Sequence, residues 1–380
     1  MPPPMPQLSF WDRQTWLSHI DYAIIGSGIV GLQTAIQLKK QRPKAKILIL
    51  ERGTLPHGAS TKNAGFACFG SVSELLSDLS LHSEAEVLDL VEARWEGLRL
   101  LRQELHDKPF GYEATGGFEV FRKGDTAIAH RCLDAIPDLN DKLSGIFREP
   151  VFEITNTIPS FSGFGAKTIV NRFEGQLNTG DMMQALLHRA HALGVMILNG
   201  VEVTGLSSVS DGVIIDLEGL ELKCQHLAVC TNGFASELLE LDVKPARNQV
   251  LITTPIFGLK VQGSFHLDQG YFYFRNVGNR LLLGGGRHLD ALAECTSEMK
   301  QTAKIQSHLE ELLHKYILPH DSFEIEQRWS GILGVGDQKK PIVKQVKPNI
   351  YCGVRMGGMG VAIGSLVGHQ LSKLMTNSEG

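Results

Sequence analysis

The feature that most constrains the fold is a glycine-rich turn near the start of the chain, in DYAIIGSGIVGLQTAIQL, residues 21–38. The periodicity of this stretch predicts a buried strand over residues 21–25 and a helix over residues 29–41. A second apolar segment, KILIL at residues 46–50, predicts another strand that ends beside Glu51. This succession predicts a βαβ unit, in which the helix N-terminus lies at the glycines.

Each glycine of the G-x-G-x-x-G pattern has its own physical reason. Gly26 permits the tight turn, Gly28 lets the backbone approach a pyrophosphate, and Gly31 allows the helix to pack closely on the strand. The free N–H groups and the positive end of the helix then face the phosphates. Glu51 follows Gly31 by 20 residues, where its carboxylate can accept hydrogen bonds from ribose hydroxyls and would repel a 2′-phosphate. The pattern therefore predicts a dinucleotide site that disfavours NADP.

Length and composition favour a two-domain protein that acts on a small molecule. The chain has 380 residues, with 43% apolar and 21% charged residues and a formal net charge of −4. Because there is no basic excess, we expect no nucleic-acid partner and no attraction to an anionic membrane. No window reaches the roughly 18 apolar residues of a membrane helix, and the N-terminal segment lacks a signal-peptide pattern, so we expect no membrane span.

The spacing of cysteine and histidine predicts no metal site. The six cysteines form no C-x-x-C pair and no zinc-type spacing, which favours a reducing compartment and predicts a cytoplasmic protein. His188 and His191 lie three residues apart on a predicted helix, but no third ligand is near them in the sequence. We therefore expect surface or packing histidines there.

Helical and strand patterns alternate along the rest of the chain. A capping box, Ser83-x-x-Glu86, predicts the start of a long amphipathic helix, and residues 109–175 predict short antiparallel strands and loops. Further elements are predicted as helices over residues 178–193, 297–316 and 361–374 and as a hairpin around Val277-Gly278-Asn279.

The predicted fold class is α/β, with two domains interleaved along the chain. A Rossmann-like nucleotide-binding domain takes residues 18–88, 168–236 and 326–380. An inserted α+β domain, built on a mainly antiparallel sheet and expected to face the substrate, takes residues 89–167 and 237–325.

The segment after Glu51, RGTLPHGASTKNAGFACFG, identifies a family. Its GASTKNAG, residues 58–65, resembles the G-A-S-x-x-N-A/G-G segment of the D-amino-acid oxidase, glycine oxidase and sarcosine oxidase superfamily of FAD-dependent oxidoreductases. In that superfamily the segment passes the pyrophosphate and the flavin ring. The resemblance extends over residues 228–239, 270–287 and 328–371. It implies that the Rossmann-like domain binds FAD.

The resemblance also implies which residues contact FAD. In the βαβ unit and the loop after it they are Gly26, Gly28, Ile29, Val30, Gly31, Glu51, Arg52, Ser60, Thr61, Asn63, Ala64 and Gly65. Further along the chain they are Val203, Thr231, Gly233, Gly357, Gly358, Met359, Gly360 and Val361. The last of these stand at the start of the C-terminal helix, whose positive end would stabilise the negative charge of a reduced flavin.

A reaction and a set of substrate-side residues follow from the same resemblance. Family members hold a small amine or amino acid over FAD and oxidise a C–N bond by hydride transfer to flavin N5. The imine then hydrolyses, and oxygen or another acceptor reoxidises the flavin. The family's Y-x-x-x-R segment matches Tyr271 and Arg275, and we predict Tyr271, Arg275 and Arg355 as the catalytic residues.

The chain departs from the family in RWSGILGVGDQKKP. Glycine-oxidase-like members have W-x-G-x-R-P there, and the arginine binds the carboxylate of the substrate, whereas this chain has Leu333 and Gly334. Leucine cannot replace that bidentate contact. Either Arg355, Arg287 or Arg275 binds the carboxylate from another direction, or the substrate is an amine without that group.

Two other functions are compatible with the same fold. Some members of the superfamily modify tRNA, but the net charge of −4 and the lack of a basic stripe count against an RNA substrate. A FAD-binding redox sensor without turnover is the other alternative, because resemblance in fold supports a site without establishing its function.

Overall fold

The structure is a computed structural model that describes residues 8–156 and 163–377. Its α-helices are α1 (Ile29–Gln41), α2 (Ala59–Lys62), α3 (Val72–Leu81), α4 (Glu84–Leu105), α5 (Thr126–Leu143), α6 (Thr179–Ala192), α7 (Ala303–Leu312) and α8 (Gly360–Asn377). Its strands are β1 (Ile20–Ile25), β2 (Ile47–Glu51), β3 (Phe66–Ala67), β4 (Gly117–Glu119), β5 (Phe152–Asn156), β6 (Lys167–Asn171), β7 (Gly175–Gln176), β8 (Met196–Asn199), β9 (Val203–Val209), β10 (Gly212–Leu217), β11 (Leu220–Val229), β12 (Lys244–Thr253), β13 (Ser264–Leu267), β14 (Phe272–Val277), β15 (Arg280–Gly285), β16 (Ile325–Val335), β17 (Ile342–Lys347) and β18 (Ile350–Val354).

The first sheet, which we call the parallel sheet, has the strand order β17-β18-β11-β1-β2-β8. Neighbours from β18 to β8 run parallel, whereas β17 is an antiparallel edge and β10 and β9 continue antiparallel from β11. β1, α1 and β2 form the predicted βαβ unit, and each of their bounds lies within one residue of the expected one.

β1 is apolar along nearly its whole length because both of its faces are covered. Tyr22 and Ile24 pack into a core that contains residues of α1, α4, α6 and α8. Ala23 and Ile25 point the other way, into a core with β10 and β11. Burial on both faces turns a strand into a continuous apolar run rather than an alternating one.

The second sheet, which we call the antiparallel sheet, has the order β16-β12-β15-β14-β13-β4-β6-β5. All its neighbours are antiparallel except β13 and β4. The predicted hairpin is confirmed, because Val277 pairs with Arg280 across a two-residue turn in which Gly278 has a φ of 56°. The predicted α/β class with a second, mainly antiparallel sheet is confirmed. The proposed domain bounds stay a prediction, although β6 and β16, assigned there to the nucleotide domain, pair within the antiparallel sheet.

The prediction of only strands and loops over residues 109–175 is wrong, because α5 lies inside that range. Cys132, Ile136, Leu139 and Leu143 are buried on one side of α5. Their spacing of four, three and four residues is a helical pattern that the surrounding glycines and prolines obscure. Part of the same range, residues 157–162, lies outside the described residues.

α8 reaches the edge of the parallel sheet because glycines let it approach two other helices. A Cβ at Gly97 of α4 would lie 2.2 Å from the carbonyl oxygen of Ala362 on α8. A Cβ at Gly364 of α8 would lie 2.9 Å from Ile29 Cγ2 at the start of α1. This packing brings the N-termini of α1 and α8 to the same end of the sheet. No helix in the described part of the chain is both long and apolar enough to cross a membrane.

Candidate active site

A cavity of about 480 Å³ lies at the carboxyl ends of β1, β2 and β11. Ile25, Glu51 and Thr231 mark those strand ends in its wall, and the residues before and at the start of α8 close one side. Residues of β12, β14 and β16 of the antiparallel sheet form the opposite wall. The ends of parallel strands are where open α/β sheets bind nucleotides. The volume is also within the range of small-molecule sites.

The turn before α1 leaves its backbone open to the cavity. Gly28 is the N-cap of α1, and no side chain of its own caps the helix. Ser60 lies against it, because its Oγ accepts a hydrogen bond from Ile29 N at 3.0 Å. A Cβ at Gly28 would lie 2.9 Å from that oxygen, and a Cβ at Gly31 would lie 2.0 Å from the carbonyl oxygen of Gly26. The backbone therefore leaves no room for a side chain at Gly31, and a side chain at Gly28 would have to displace the Ser60 hydroxyl.

Glu51 is held in one orientation at the end of β2. One carboxylate oxygen accepts hydrogen bonds from the backbone N and the Oγ of Ser27, at 3.0 and 2.7 Å. The other accepts one from Gly53 N at 2.9 Å. Glu51 is only 7% exposed, yet it lines the cavity. The oxygen that accepts from Gly53 N retains a lone pair for a ligand hydroxyl.

Two features on the far side of the cavity fit a polar, extended ligand. Thr231 Oγ1 is buried and, among the described residues, has no hydrogen-bond partner. Gly357 and Gly358 line the cavity, and a Cβ on either would meet no atom within 4 Å. An unpartnered hydroxyl and an open backbone beside a helix N-terminus are what a bound dinucleotide would use. The residues present therefore fit FAD.

The loop that carries GASTKNAG is braced by its own polar side chains. Asn63 Oδ1 accepts hydrogen bonds from Gly65 N at 2.8 Å and from Thr179 Oγ1 at 2.9 Å. Asn63 Nδ2 donates to the carbonyl of Ser60 at 2.8 Å, and Thr61 Oγ1 donates to that of Pro56 at 2.8 Å. These bonds fix the backbone of the loop along the cavity wall.

The structure brings most of the predicted cofactor residues to one cavity. Those that line it are Gly26, Gly28, Ile29, Val30, Glu51, Arg52, Ser60, Asn63, Ala64, Val203, Thr231, Gly357, Gly358, Met359, Gly360 and Val361. Those outside its lining are Gly31, Thr61, Gly65 and Gly233. The glycines of this second group permit backbone packing, since a Cβ at Gly65 or Gly233 would lie 2.3 or 2.4 Å from a carbonyl oxygen. Contact of each residue with FAD stays a prediction.

The three predicted catalytic residues differ in their surroundings. Tyr271 lines the cavity, is 40% exposed, and has its ring 4.2 Å from that of His288. Arg275 does not line the cavity, and its Nη1 donates to the carbonyl of Gly65 at 3.1 Å. Burial lowers the pKa of Arg275 to about 10. Arg275 thus supports the cofactor loop from behind, and its catalytic role stays a prediction.

Arg355 lines the cavity but is already paired. Its Nη1 donates to Asp242 Oδ2 at 2.6 Å, and its Nε donates to the carbonyl of Lys340 at 3.0 Å. Its backbone has a φ of 66°, a conformation that residues other than glycine rarely adopt. Binding a substrate carboxylate would require Arg355 to share or leave Asp242.

Sequence reasoning missed a buried ion pair in the cavity wall. His266 Nε2 lies 2.9 Å from Glu174 Oε2, and Glu174 Oε1 accepts hydrogen bonds from Phe69 N and Gly70 N at 3.1 and 3.3 Å. Burial disfavours the imidazolium, but the charge and hydrogen bond of Glu174, together with the charges of Glu74 and Glu119, outweigh burial and raise the pKa of His266 to about 9. The two residues are 92 positions apart, so no local pattern links them.

The rest of this wall is aromatic and contains sulfur. Phe66 contacts both His266 and Tyr273 edge to face, with ring centroids 5.4 Å apart in each pair. Tyr273 is fixed by Asn248, whose Nδ2 donates to its hydroxyl at 2.8 Å. Cys68 Sγ lies 3.6 Å from Met359 Sδ, and burial raises the pKa of Cys68 well above its usual range. Cys68, Glu174 and His266 are close enough to share an ion, but the thiol is protonated and we assign no metal.

Comparisons with known proteins agree with this geometry. A family model described as FAD dependent oxidoreductase (DAO) matches residues 21–374. Glycine oxidase of Geobacillus kaustophilus (strain HTA426) is 26% identical over 276 residues, which cover 70% of this chain and 69% of that protein. The crystal structure of glycine oxidase from G. kaustophilus has a TM-score of 0.74 at 20% identity and covers 94% of both chains. That of iminodiacetate oxidase from Chelativorans sp. BNC1 has a TM-score of 0.75 at 17% identity, covering 94% of this chain and 95% of the other.

The structural matches, at this low identity, show a shared fold. The family match spans both sheets and nearly all of the described chain. Its cofactor is the one that the cavity fits. The chain therefore belongs to the DAO family of FAD-dependent oxidoreductases and is an FAD-dependent enzyme.

Proposed function

We propose that this enzyme oxidises the C–N bond of a small amine or amino acid. The observation that carries the proposal is the shape of the cavity, which joins the FAD-fitting strand ends to a wall made by the antiparallel sheet. FAD, when bound, supplies the two-electron acceptor for such an oxidation. Glycine oxidase and iminodiacetate oxidase are named for small amino-acid substrates, which supports the same substrate class here.

In this proposal the strand ends and helix termini hold the cofactor. The N-terminus of α1 at Gly28 would hold the pyrophosphate, and Glu51 would accept a hydrogen bond from the ribose. The N-terminus of α8 points its positive end into the cavity beside Gly358 and Gly360. Negative charge that develops near that terminus during the reaction is stabilised by it.

The aromatic wall orients the substrate and excludes water. Phe66 and Tyr273 present ring faces and edges to the cavity, and Asn248 keeps the phenol of Tyr273 in place. At neutral pH His266 carries a proton and is neutralised by Glu174, so this pair supplies no free base. We therefore infer that the amine reacts in its neutral form, after losing its proton outside the cavity.

The compartment and the electron acceptor belong to the same proposal. All six cysteines are unpaired, and only Cys295 is exposed, which fits a reducing cytoplasm. The electron acceptor is oxygen or another oxidant, and the rates at which oxygen and an artificial acceptor reoxidise the reduced enzyme distinguish the two.

The test is an anaerobic visible spectrum of the purified enzyme before and after addition of small amines and amino acids. Loss of flavin absorbance with one compound supports C–N oxidation and names the substrate class. Absorbance that no compound bleaches would favour a redox sensor. Bleaching that only an RNA substrate brings about, or that RNA competes away, would favour tRNA modification. Protein that cannot be loaded with FAD would contradict the site itself.

A further inference from the structure

The cavity is lined by several cationic side chains, and most of them have partners within the fold. Those that line it are Arg52, Lys62, Arg94, Arg287, Lys339 and Arg355. Arg52 pairs with Glu202 and Glu237, and Lys339 pairs with Asp78.

Two more of these cations are also occupied. Arg355 pairs with Asp242, and Arg94 donates to the carbonyl of Phe69 at 2.7 Å. Among the described residues, Arg287 and Lys62 alone of this set form neither an ion pair nor a side-chain hydrogen bond. An arginine that faces a ligand cavity without a carboxylate of its own is available to an acidic ligand.

Arg287 is placed at the substrate side by the end of β15. Gly286 has a φ of 82°, and its N donates to the carbonyl of Tyr271 at 2.9 Å, which turns the chain toward the cavity. Burial raises the pKa of Tyr273, and the positive charge of Arg287 offsets part of that rise. The guanidinium is therefore near the phenol of Tyr273.

Lys62 belongs to the other side of the cavity. It ends α2, in the cofactor loop, and its backbone carbonyl accepts a hydrogen bond from Trp329 Nε1 at 2.9 Å. Its side chain covers Gly331, where a Cβ would lie 2.8 Å from Lys62 Cβ. An ammonium also lacks the planar fork that matches both oxygens of a carboxylate. Arg287 is the better acid-binding group.

Arg287 and Leu333 lie on opposite sides of one strand. β12 pairs with β16 on one edge, where Ala246 faces Leu333, and with β15 on the other, where Gln249 faces Gly285. Both Leu333 and Arg287 line the cavity. Strands of a sheet are spaced about 4.8 Å apart, so the cation is displaced across the wall by about two strand spacings from position 333.

We propose that Arg287 binds the carboxylate of the substrate and thereby takes over the task that an arginine at position 333 performs in similar sequences. The substrate is then an amine that bears a carboxylate, and this group approaches the wall from the β15 side. The inference rests on the proposed function for its amine, but the binding of a carboxylate can be tested without turnover.

The binding test uses the FAD-loaded protein and two probes of the same shape, acetate and acetamide. Each is titrated while the flavin absorption spectrum and the heat of binding are recorded. We expect acetate to bind and acetamide not to bind. In Arg287→Met the dissociation constant for acetate should rise about 10- to 100-fold, and Arg287→Lys should fall between the two. Arg280→Met is the matched control, because Arg280 starts β15, the strand that precedes Arg287, and pairs with Glu326 at the surface, 2.6 Å away.

The kinetic test compares an amino acid with the amine that lacks its carboxylate, in both enantiomers where the amino acid is chiral. Arg287→Met should lower kcat/KM for the amino acid about 10- to 100-fold, whereas kcat/KM for the amine should stay unchanged. Equal acetate affinity in Arg287→Met and wild type, or no acetate binding to wild type, overturns the inference. If acetate binding depends on Arg287 while no amine or amino acid reduces the flavin, the inference stands and the proposed function fails.

Discussion

Replacing Gly28 by alanine separates the contribution of the turn before α1 to protein stability from its contribution to FAD binding. Gly28 has φ −72° and ψ −179°, an extended backbone that alanine adopts without strain. Any effect of Gly28→Ala therefore comes from the added methyl group, which would lie 2.9 Å from Ser60 Oγ. Because that oxygen accepts the hydrogen bond from Ile29 N, the methyl group must displace a helix-capping contact.

The magnitudes of the two effects differ. Loss of the Ser60 contact should lower the free energy of unfolding of the FAD-free protein by about 1 to 2 kcal/mol, the usual cost of a cap. Contact between the methyl group and the pyrophosphate should weaken FAD binding by about 2 to 4 kcal/mol, from crowding and a lost charge-assisted hydrogen bond. That is a rise of about 30- to 1,000-fold in the dissociation constant.

The double variant Gly28→Ala with Ser60→Ala is the matched control. Ser60 Cβ would lie 3.8 Å from the new methyl group, an ordinary contact, so removal of the hydroxyl relieves the clash. Urea unfolding of the FAD-free proteins and fluorescence titration with FAD measure the two effects. The stability costs of the two substitutions should be less than additive, whereas the FAD defect should persist in the double variant. FAD affinity within threefold of wild type in Gly28→Ala would refute the placement of the pyrophosphate.

Three further predictions concern the opposite wall. In the folded protein the pKa of His266 is raised from its ordinary 6.5 to about 9. The pairing with Glu174 therefore contributes its full stabilisation of the folded state below pH 6.5, and this stabilisation is lost as the pH rises through 9. Between pH 7 and 10 the wild type should lose up to about 3 kcal/mol more stability than His266→Gln, measured as the difference between their unfolding curves. Gly270→Ala should destabilise the protein by about 1 to 3 kcal/mol, because Gly270 has a φ of 73° and a Cβ there would lie 2.5 Å from the Glu74 carboxylate carbon. Gly258→Ala is the control, since Gly258 has a φ of 68° but lies at an open position. Equal Tm values for the two variants would show that the contact with Glu74 costs nothing. Asp242→Asn should release Arg355 and lower stability by about 1 kcal/mol, and unchanged thermal unfolding would mean that the pair contributes little.

The cofactor half of the molecule could be predicted from the sequence because its determinants are local. The strand, glycine turn and helix of the βαβ unit occupy one continuous stretch, and the capping box at Ser83 fixes the start of α4. Each of these depends on residues three or four positions apart or on a short apolar run. The missed helix α5 had the same kind of periodicity, but the glycine-rich segments on either side of it dominated the interpretation.

The substrate half could not be predicted in the same way, since tertiary pairing decides it. His266 meets Glu174 across 92 positions, and Arg355 meets Asp242 across 113. Both predicted catalytic arginines, Arg275 and Arg355, have partners that only the folded chain supplies. Which arginine faces the cavity without a partner is therefore a property of the fold, and the sequence alone left three candidates.

The two halves also constrain evolution of the site differently. The cofactor turn tolerates little change, because backbone atoms within 3 Å of the missing side chains leave no space at Gly26 and Gly31. The opposite wall is built from residues of β16, β12 and β14 and from the turn after β15, and both Leu333 on β16 and Arg287 in that turn line the same cavity. A leucine at position 333 is then no sign that acid binding was lost, because the turn after the neighbouring strand β15 presents the unpaired Arg287. If Arg287 binds the carboxylate as proposed, a charge in the turn after β15 holds that group from a different direction than a charge on β16 would, and the other face of the substrate then meets the cofactor.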